Sequence, residues 1–562
     1  MTAILGVNCF SHDTAACLLI DGNVVAMGEQ ERFNREQHTK LFPDDAIAFC
    51  LAEAGLDPAE LDIVAFAHDA RKDLARGTLD AITRAAPKRL AAQAYIDGRL
   101  LARERSFRRR WGYRRRLVHV GHHQAHAASA FYASPFDRAA VLTLDRGGDY
   151  LSTTLGVGEG NRLSTLAQVR LPHSLGEVYT ALTWFLGFRP NSDEGKVMGL
   201  APYGSDRLAE EFRDLVRLGE DGLFRVNLRW FRYHREGPYM SRRFLRRHGE
   251  PRVPESEITE RDRDLAYAVQ DVLEEAGVRV ARRLREETGL ANLCLAGGVA
   301  LNSVMNARML KEAGFDHVFV QPAASDAGNA LGAALWTWHQ ELGRPRQWSM
   351  EHAFWGIEHA EKDLASALSD RGLNFRQVGD PEAEAARRLA EGKVVGWFQG
   401  RAEVGPRALG ARSILADPRS VEMKDVVNAR VKRREGFRPF APSVLDERGP
   451  EYFDDYYTNP FMLLVLPIRK EKRDLIPAVT HVDGTGRLQS VTAGFNPAFH
   501  RLIREFDRLT GVPVVLNTSF NLRGEPIVHR PHEAVDDFLE SEMDCLFLGP
   551  LLSEKPSVGS GT

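Results

Sequence analysis

Three short apolar runs open the chain, Ala3 to Val7, Ala15 to Ile20 and Val24 to Met27. Each is bounded by turn-forming residues, and their length and composition predict strands. Asp21-Gly22 between the last two fits a two-residue hairpin turn, because both residues tolerate positive φ, so an antiparallel meander is expected. The pattern recurs from Ala139, with Ala140 to Leu144 as a strand, Arg146-Gly147-Gly148 as the turn and Leu151 to Val157 as the returning strand. Between Asp262 and Glu287 the period changes. Leu265, Val269, Val272, Leu273, Val278 and Val280 recur at helical spacing, and a strand at Ala291 to Leu295 follows, running into Gly297-Gly298. A further helix is predicted over Ala330 to Leu342. The Pro- and Arg-containing stretch Gly343 to Ser349 then separates it from a new alternation of helix and strand that starts at Glu361. This places a boundary between Leu342 and Glu361, with one domain over residues 1–350 and a second over 360–552. The Ser-, Gly- and Pro-rich end, Ser553 to Thr562, is expected to be a disordered tail.

A length of 562 residues supports that division, since single cores stop growing near roughly 250–300 residues. With 43% hydrophobic and 27% charged residues and a net charge of -3, the chain reads as globular α/β, and bulk charge gives no attraction for nucleic acid. The longest apolar runs, such as Phe461 to Pro467, fall far short of the roughly 18 residues that span a bilayer. Met1 leads straight into a strand, so a soluble cytoplasmic protein is expected. Five scattered cysteines form no CxxC pair and imply buried free thiols; Cys9 lies near a candidate loop but lacks a nearby His–Asn signature for a nucleophile. Arg103 to Arg116 holds eight arginines against one acid, Glu104, and reads either as a solvated basic helix and loop or as a patch for an anionic ligand or RNA.

Chemistry concentrates in a few segments of the first half. His122 and His126 lie in an Ala-rich stretch that favours helix until Pro135, and the i, i+4 spacing puts both imidazoles on one face, where they can hold one metal ion. Asp145 ends the first strand of the second repeat, and Asp326 opens a small-residue helix. Together they could complete an N/N/O/O site for a first-row metal such as Zn, Mn or Fe, while Asp326 also reads as a plain N-cap. His12, beside Asp13 in the loop after the first strand, is the general-base candidate for an alcohol acceptor. Gly297, Gly298 and Asn302 form a strand–glycine–helix unit suited either to phosphate approach or to plain strand–helix packing, and no P-loop motif occurs anywhere.

In the second half Arg407, Lys432, Arg438 and Arg487 each sit in or beside a Gly-, Pro- or turn-bearing segment, which suits cations converging from several loops onto phosphates. Asn517 and Ser519 follow a Val-rich strand, where an amide and a hydroxyl can read a phosphate oxygen or another small polar group.

The segments HDTAACLL, ERFNREQH, HHQAHAASAFY, DEGKVMGLAPYG, LAGGVALN and PAASDAGNALGAA resemble, in order, the NodU/CmcH-type O-carbamoyltransferases of nodulation-factor and antibiotic biosynthesis. The resemblance continues through FQGRAEVGPRALGARSILADPR, NARVKRREGFRPFAPSV, THVDGTGRLQSV and VVLNTSFNLRGEPIV, and is similar in detail to the antibiotic (tobramycin-type) branch. It implies an actin-like, threonylcarbamoyl-transfer-like N-terminal domain and a YrdC-like C-terminal domain. It implies iron(II) on His122, His126, Asp145 and Asp326, His12 as base, and the six C-terminal residues as the adenylation site. The reaction implied uses carbamoyl phosphate and ATP, with Mg on the nucleotide, to make carbamoyl adenylate, and passes the carbamoyl group to a small-molecule alcohol. Carbamate decomposes in water, which is a physical reason to fuse the two activities. A fused tRNA threonylcarbamoylation enzyme and a non-enzymatic actin-like nucleotide switch are the alternatives. Neither the acceptor nor the oligomeric state is written in any motif.

Overall fold

The computed structural model describes residues 1–69, 98–99, 102–235 and 238–555. The chain divides into two compact units, one of Met1–Gln30 with His38–Met350 and one of Glu31–Gln37 with Glu351–Thr562. The excursion of residues 31–37 into the second unit has no sign in the hydrophobic periodicity.

In the first unit the strands are β1 (Ala3–Asn8), β2 (Ala15–Ile20), β3 (Asn23–Glu29), β4 (Ile63–Ala67), β5 (Arg116–Val120), β6 (Arg138–Gly148), β7 (Leu151–Glu159) and β8 (Arg162–Arg170). A small hairpin, β9 (Val216–Leu218) and β10 (Phe224–Val226), precedes β11 (Asn292–Ala296) and β12 (His317–Val320). Two five-stranded sheets have the orders β3-β2-β1-β4-β5 and β8-β7-β6-β11-β12. In both, the first three strands form an antiparallel meander, and the other two run parallel to its first strand. The repeated strand–turn–strand pattern is therefore a duplication of one complete sheet topology.

One local expectation is corrected, and one strand is new. Gly147 and Gly148 do not form the turn of the second hairpin; they lie in β6, whose pairing with β7 is irregular between Leu144 and Gly148. The chain reverses at Asp149 and Tyr150, both at positive φ (51° and 67°). β8 went unpredicted because most of its residues are exposed and carry no apolar alternation.

The helix Glu260–Thr288 is stopped at both ends as its sequence directs. Thr259 and Asp262 form a capping box, and Gly289 closes the C-terminus in the left-handed region. The helix His122–Phe131 starts directly after Gly121 and ends before Pro135. Helix Gly328–Trp336, more than half of it Gly and Ala, packs against it and against β1. A side chain at Gly332 would put its Cβ 1.9 Å from the Ala125 carbonyl, so only glycine allows these two backbones to meet. That contact places the N-terminal loop of one helix beside the histidines of the other.

The basic run is largely occupied within the fold. Residues 102–111 are helical, and Arg103 is fully buried, donating to the carbonyls of Ala67 and His68 and stacking on Phe66. Arg110, Arg115 and Arg116 pair with Asp44, Asp62 and Glu341. No helix among the described residues is long and apolar enough to cross a membrane.

The second unit is built on an eight-stranded mixed sheet. Its strands are β13 (Arg376–Gln377), β14 (Val395–Phe398), β15 (Arg412–Ala416), β16 (Ala441–Leu445), β17 (Val465–Pro467), β18 (Thr485–Arg487), β19 (Gln489–Val491), β20 (Val514–Ser519), β21 (Cys545–Leu548) and β22 (Leu551–Glu554). The order is β13-β22-β21-β14-β15-β20-β16-β19, with β17 and β18 pairing separately. Residues 31–37 are tied into this unit by Arg32, whose Nη2 donates to the Gly405 carbonyl at 2.6 Å. Arg35 donates to the Ile527 carbonyl and pairs with Glu525 and Glu533. Ser553 and Glu554, expected in a disordered tail, instead complete β22, and the rest of that expectation, residues 556–562, lies outside the described residues.

Candidate functional site

Four side chains from three separate segments of the first unit converge. His122 and His126 come from the first two turns of helix His122–Phe131, Asp145 from β6, and Asp326 from the loop before helix Gly328–Trp336. The two Nε2 atoms face each other at 3.1 Å, and His122 Nε2 lies 3.2 Å from Asp145 Oδ2. Asp326 Oδ1 is 3.6 Å from His122 Nε2 and 3.5 Å from His126 Nε2. Asp326 is not the N-cap of its helix. That position falls at Ala327, without a side-chain cap, which leaves the Asp326 carboxylate turned to the imidazoles. The His122 ring fits because residue 148 is glycine, where a Cβ would stand 2.3 Å from its Cγ.

The arrangement fits a metal. A four-coordinate ion with bonds of about 2.0–2.1 Å holds its ligand atoms about 3.3 Å apart, close to the spacing seen here. Two imidazole lone pairs also do not face one another at this distance unless a proton or cation lies between them. Burial works against charge on His122, but Asp326, Asp145 and Asp149 outweigh it and push its pKa up to about 10. Burial alone would raise Asp145; the His122 hydrogen bond and the neighbouring imidazole charges carry it well below the usual carboxylate range. Asp145 also accepts from the backbone N–H of Gly147 at 3.0 Å and of Gly298 at 2.9 Å, and Asp149 Oδ2 accepts from His122 N–H.

The glycine turn thus serves the carboxylate. Gly297 has φ +96°, and a Cβ there would lie 2.2 Å from the Leu144 carbonyl, which is the strand-packing alternative in the sequence. Asn302 is the N-cap of helix Ser303–Glu312. Its side chain accepts from Met305 N–H and exchanges both hydrogen bonds with Gln270, so in this structure its amide faces the fold.

His12 stands in a loop held by Asn8, whose Nδ2 donates to the carbonyls of His12 and Asp13, while Phe10 and Asp13 adopt positive φ. Both its ring nitrogens face acceptors: Nδ1 lies 3.0 Å from Asp13 Oδ2, and Nε2 lies 2.9 Å from the Asn191 carbonyl. Asp13 is shared, since His38 Nδ1 lies 2.7 Å from its other oxygen, and the two imidazoles stack at 4.5 Å. Burial would depress His12, but the Asp13 hydrogen bond and charge, with Asp326 and the Asn191 carbonyl, raise it to about 9. A protonated imidazole, which donates from both nitrogens, matches these two acceptors. Cys9 is buried, and burial pushes its thiol up to about 11, which leaves it unreactive.

In the second unit the candidate cations gather on one another. Burial and the Arg438 charge bring Arg407 down to about 10, and burial with Arg407, Arg434 and Arg438 pushes Arg487 well below the usual range. The Nε atoms of Arg407 and Arg487 are buried without a hydrogen-bond partner. Arg434, which the sequence reading missed, shares this field, and its only signal was its place two residues after Lys432. The loop carrying Arg407 is fixed from behind by Glu403, which accepts from the N–H groups of Leu409, Ala411 and Arg412. Lys432 is fully committed to the protein, donating to the carbonyls of Ser519 and Asn521 and to Asn521 Oδ1 at 2.5–2.8 Å. Ser519 Oγ donates to Asn521 Oδ1. Asn517 donates to Ala408, Ser443 and Gln489, and its Oδ1 is left buried and unmatched.

Comparison with known proteins places these two units. The family profile described as Carbamoyltransferase N-terminus matches residues 3–335, and that described as Carbamoyltransferase C-terminus matches residues 386–555. Nodulation protein NolNO of Sinorhizobium fredii is 41% identical over 568 residues, covering 98% of this chain and 80% of that protein. Nodulation protein NolO of Bradyrhizobium diazoefficiens is 43% identical over 446 residues, covering 78% and 79%. An uncharacterized protein of Synechocystis is 40% identical over 597 residues, covering 98% and 96%. The chain belongs to the carbamoyltransferase family and is an enzyme that transfers carbamoyl groups.

Proposed function

We propose that the protein is an ATP-dependent O-carbamoyltransferase. Its second unit forms carbamoyl adenylate, and its first unit moves the carbamoyl group onto a hydroxyl of a secondary metabolite. The observation that carries this reading is the mutually repelling set Arg407, Arg434, Arg438 and Arg487. The buried Nε atoms of Arg407 and Arg487 have no hydrogen-bond partner and stand among like charges, an arrangement that calls for a polyanion, and carbamoyl phosphate with ATP supplies one. In that unit, of YrdC-like type in this reading, carbamoyl phosphate is hydrolysed to carbamate and phosphate. A carbamate oxygen then attacks the α-phosphorus of ATP, forming the P–O bond of carbamoyl adenylate and expelling pyrophosphate. Arg407 and Arg487 compensate the charge brought together. Lys432 positions the Ser519–Asn521 turn, and the unmatched Asn517 Oδ1 offers an acceptor to the carbamoyl N–H₂.

In the first unit the substrate hydroxyl attacks the carbamoyl carbon, and the bond to AMP breaks. An ion on His122, His126, Asp145 and Asp326, iron(II) in this reading, supplies Lewis-acid charge for the anionic adenylate. His12 takes the hydroxyl proton. In the free enzyme its Nε2 donates to a carbonyl, so it acts as base after losing that proton, when an alcohol, which can donate, replaces the Asn191 carbonyl. Release of pyrophosphate from ATP only when carbamoyl phosphate is present tests the first step. ATP turnover independent of carbamoyl phosphate overturns it.

A pH dependence follows. A group whose pKa is raised to about 9 stays protonated below that value, so transfer from supplied carbamoyl adenylate should rise with pH up to about 9. Asp13→Asn removes the carboxylate that raises it, and the midpoint should fall toward the ordinary imidazole value of roughly 6.5. An unchanged midpoint in Asp13→Asn would exclude His12 as the titrating base.

A further inference from the structure

Asn329 lies one helical turn beyond Asp326, in helix Gly328–Trp336, and is fully buried. Its Nδ2 is 3.2 Å from Nε2 of His126, while its Oδ1 is buried with no hydrogen-bond partner. A histidine nitrogen that coordinates an ion has no lone pair left to accept a hydrogen bond. With the cluster loaded, the amide N–H therefore loses its acceptor and presents a positive hydrogen to a cation. A half-turn about the terminal torsion exchanges the amide nitrogen and oxygen at nearly unchanged volume. The oxygen then occupies the position now held by Nδ2, at the spacing that neighbouring ligand atoms keep around one ion.

We propose that Asn329 is a fifth protein ligand of the metal centre, coordinating through Oδ1 beside His122, His126, Asp145 and Asp326. The inference rests on the reading of that cluster as a metal site. Two imidazoles, two carboxylates and one amide make an N₂O₃ set. Five-coordination moves the site away from the closed four-coordinate geometry of structural zinc and toward open-shell ions such as iron(II), manganese(II) or cobalt(II). The residue type also has a reason. Two carboxylates neutralise a divalent ion, and a neutral amide completes the shell without adding charge, whereas a third carboxylate would leave the site negative and repel an anionic substrate.

The test uses the full chain loaded with cobalt(II), whose visible absorption is weak in five- or six-coordinate sites and intense in four-coordinate ones. Asn329→Leu keeps the branching at Cγ, offers the ion no donor atom and excludes water. It should intensify the bands and weaken cobalt binding, measured by chelator competition, on the order of 10–100-fold. Asn329→Asp restores an oxygen at that place and should keep the weak wild-type bands, which holds the question open to test even if the leucine variant folds poorly. Wild-type spectrum and affinity in Asn329→Leu, or intense bands in Asn329→Asp, overturn the proposal. His126→Ala separates this from the reading beneath it: cobalt binding that survives His126→Ala unchanged sinks the metal centre itself, not only its fifth ligand.

Discussion

Arg407→Ala stops the release of pyrophosphate from ATP and carbamoyl phosphate but leaves transfer from synthetic carbamoyl adenylate close to the wild-type rate. The expectation follows from where the guanidinium sits. Its loop is clamped by Glu403, its Nε has no partner in the protein, and its neighbours are cations. Deleting it removes a preorganised positive charge from the place where two anionic substrates must meet, and a loss of about 10²–10³-fold is expected for one such donor. Lys432→Ala acts on the same half-reaction by another route, because the ammonium ties together the Ser519 and Asn521 backbone. His12→Ala behaves in the opposite way, with pyrophosphate still released and acceptor carbamoylation reduced on the order of 10²–10⁴-fold. The measurement is a crossed assay of both half-reactions on all three variants. Failure of synthetic adenylate to rescue Arg407→Ala, or loss of pyrophosphate release in His12→Ala, overturns the two-site mechanism.

Removal of the bound metal by chelation, with Mg then restored for the nucleotide, or His126→Ala, has the second large effect. Transfer to the alcohol collapses while adenylate formation continues. The four His and Asp ligand atoms of the cluster belong to the first unit and lie within 4.8 Å of one another. Loss of an outer-shell partner alone weakens metal affinity about 10–100-fold, and loss of an imidazole that touches the ion should exceed that. Both half-reactions are followed in parallel on the treated protein, and equal inhibition of the two counts against the assignment.

What the sequence disclosed about this site depended on whether the cause was local. HxxxH spacing, the helix that carries it and the paired hairpins are short-range consequences of period and turn chemistry, and the structure reproduces them at Asp21-Gly22, His122 and His126. The convergence of Asp145 and Asp326 on those histidines was an expectation from their places at a strand end and a helix start, sharpened by the family resemblance, because no spacing rule connects residues that far apart. The competition for side-chain hydrogen bonds was invisible. Asn302 faces Gln270 and the start of its own helix, Lys432 is held by carbonyls, and His12 lies between Asp13 and Asn191. Each of these was a candidate by residue type, and its partners come from elements far along the chain. Arg434 was passed over for the reverse reason, since nothing in a run of basic residues marks which of them turns inward.

The segment Glu31–Gln37 has a consequence for synthesis. Arg32 binds a carbonyl 373 residues downstream, and Arg35 one 492 residues downstream. A chain emerging from the ribosome N-terminus first makes this heptad early and cannot seat it until the last part of the protein exists, so the second unit depends on contacts of very high sequence separation. A gene cut at the boundary near residue 350 would yield a C-terminal piece with the Gly405 and Ile527 carbonyls deprived of their arginine donors. Dissection or domain exchange in this architecture therefore calls for carrying the heptad along with the second unit, and the N-terminal reading frame encodes part of both.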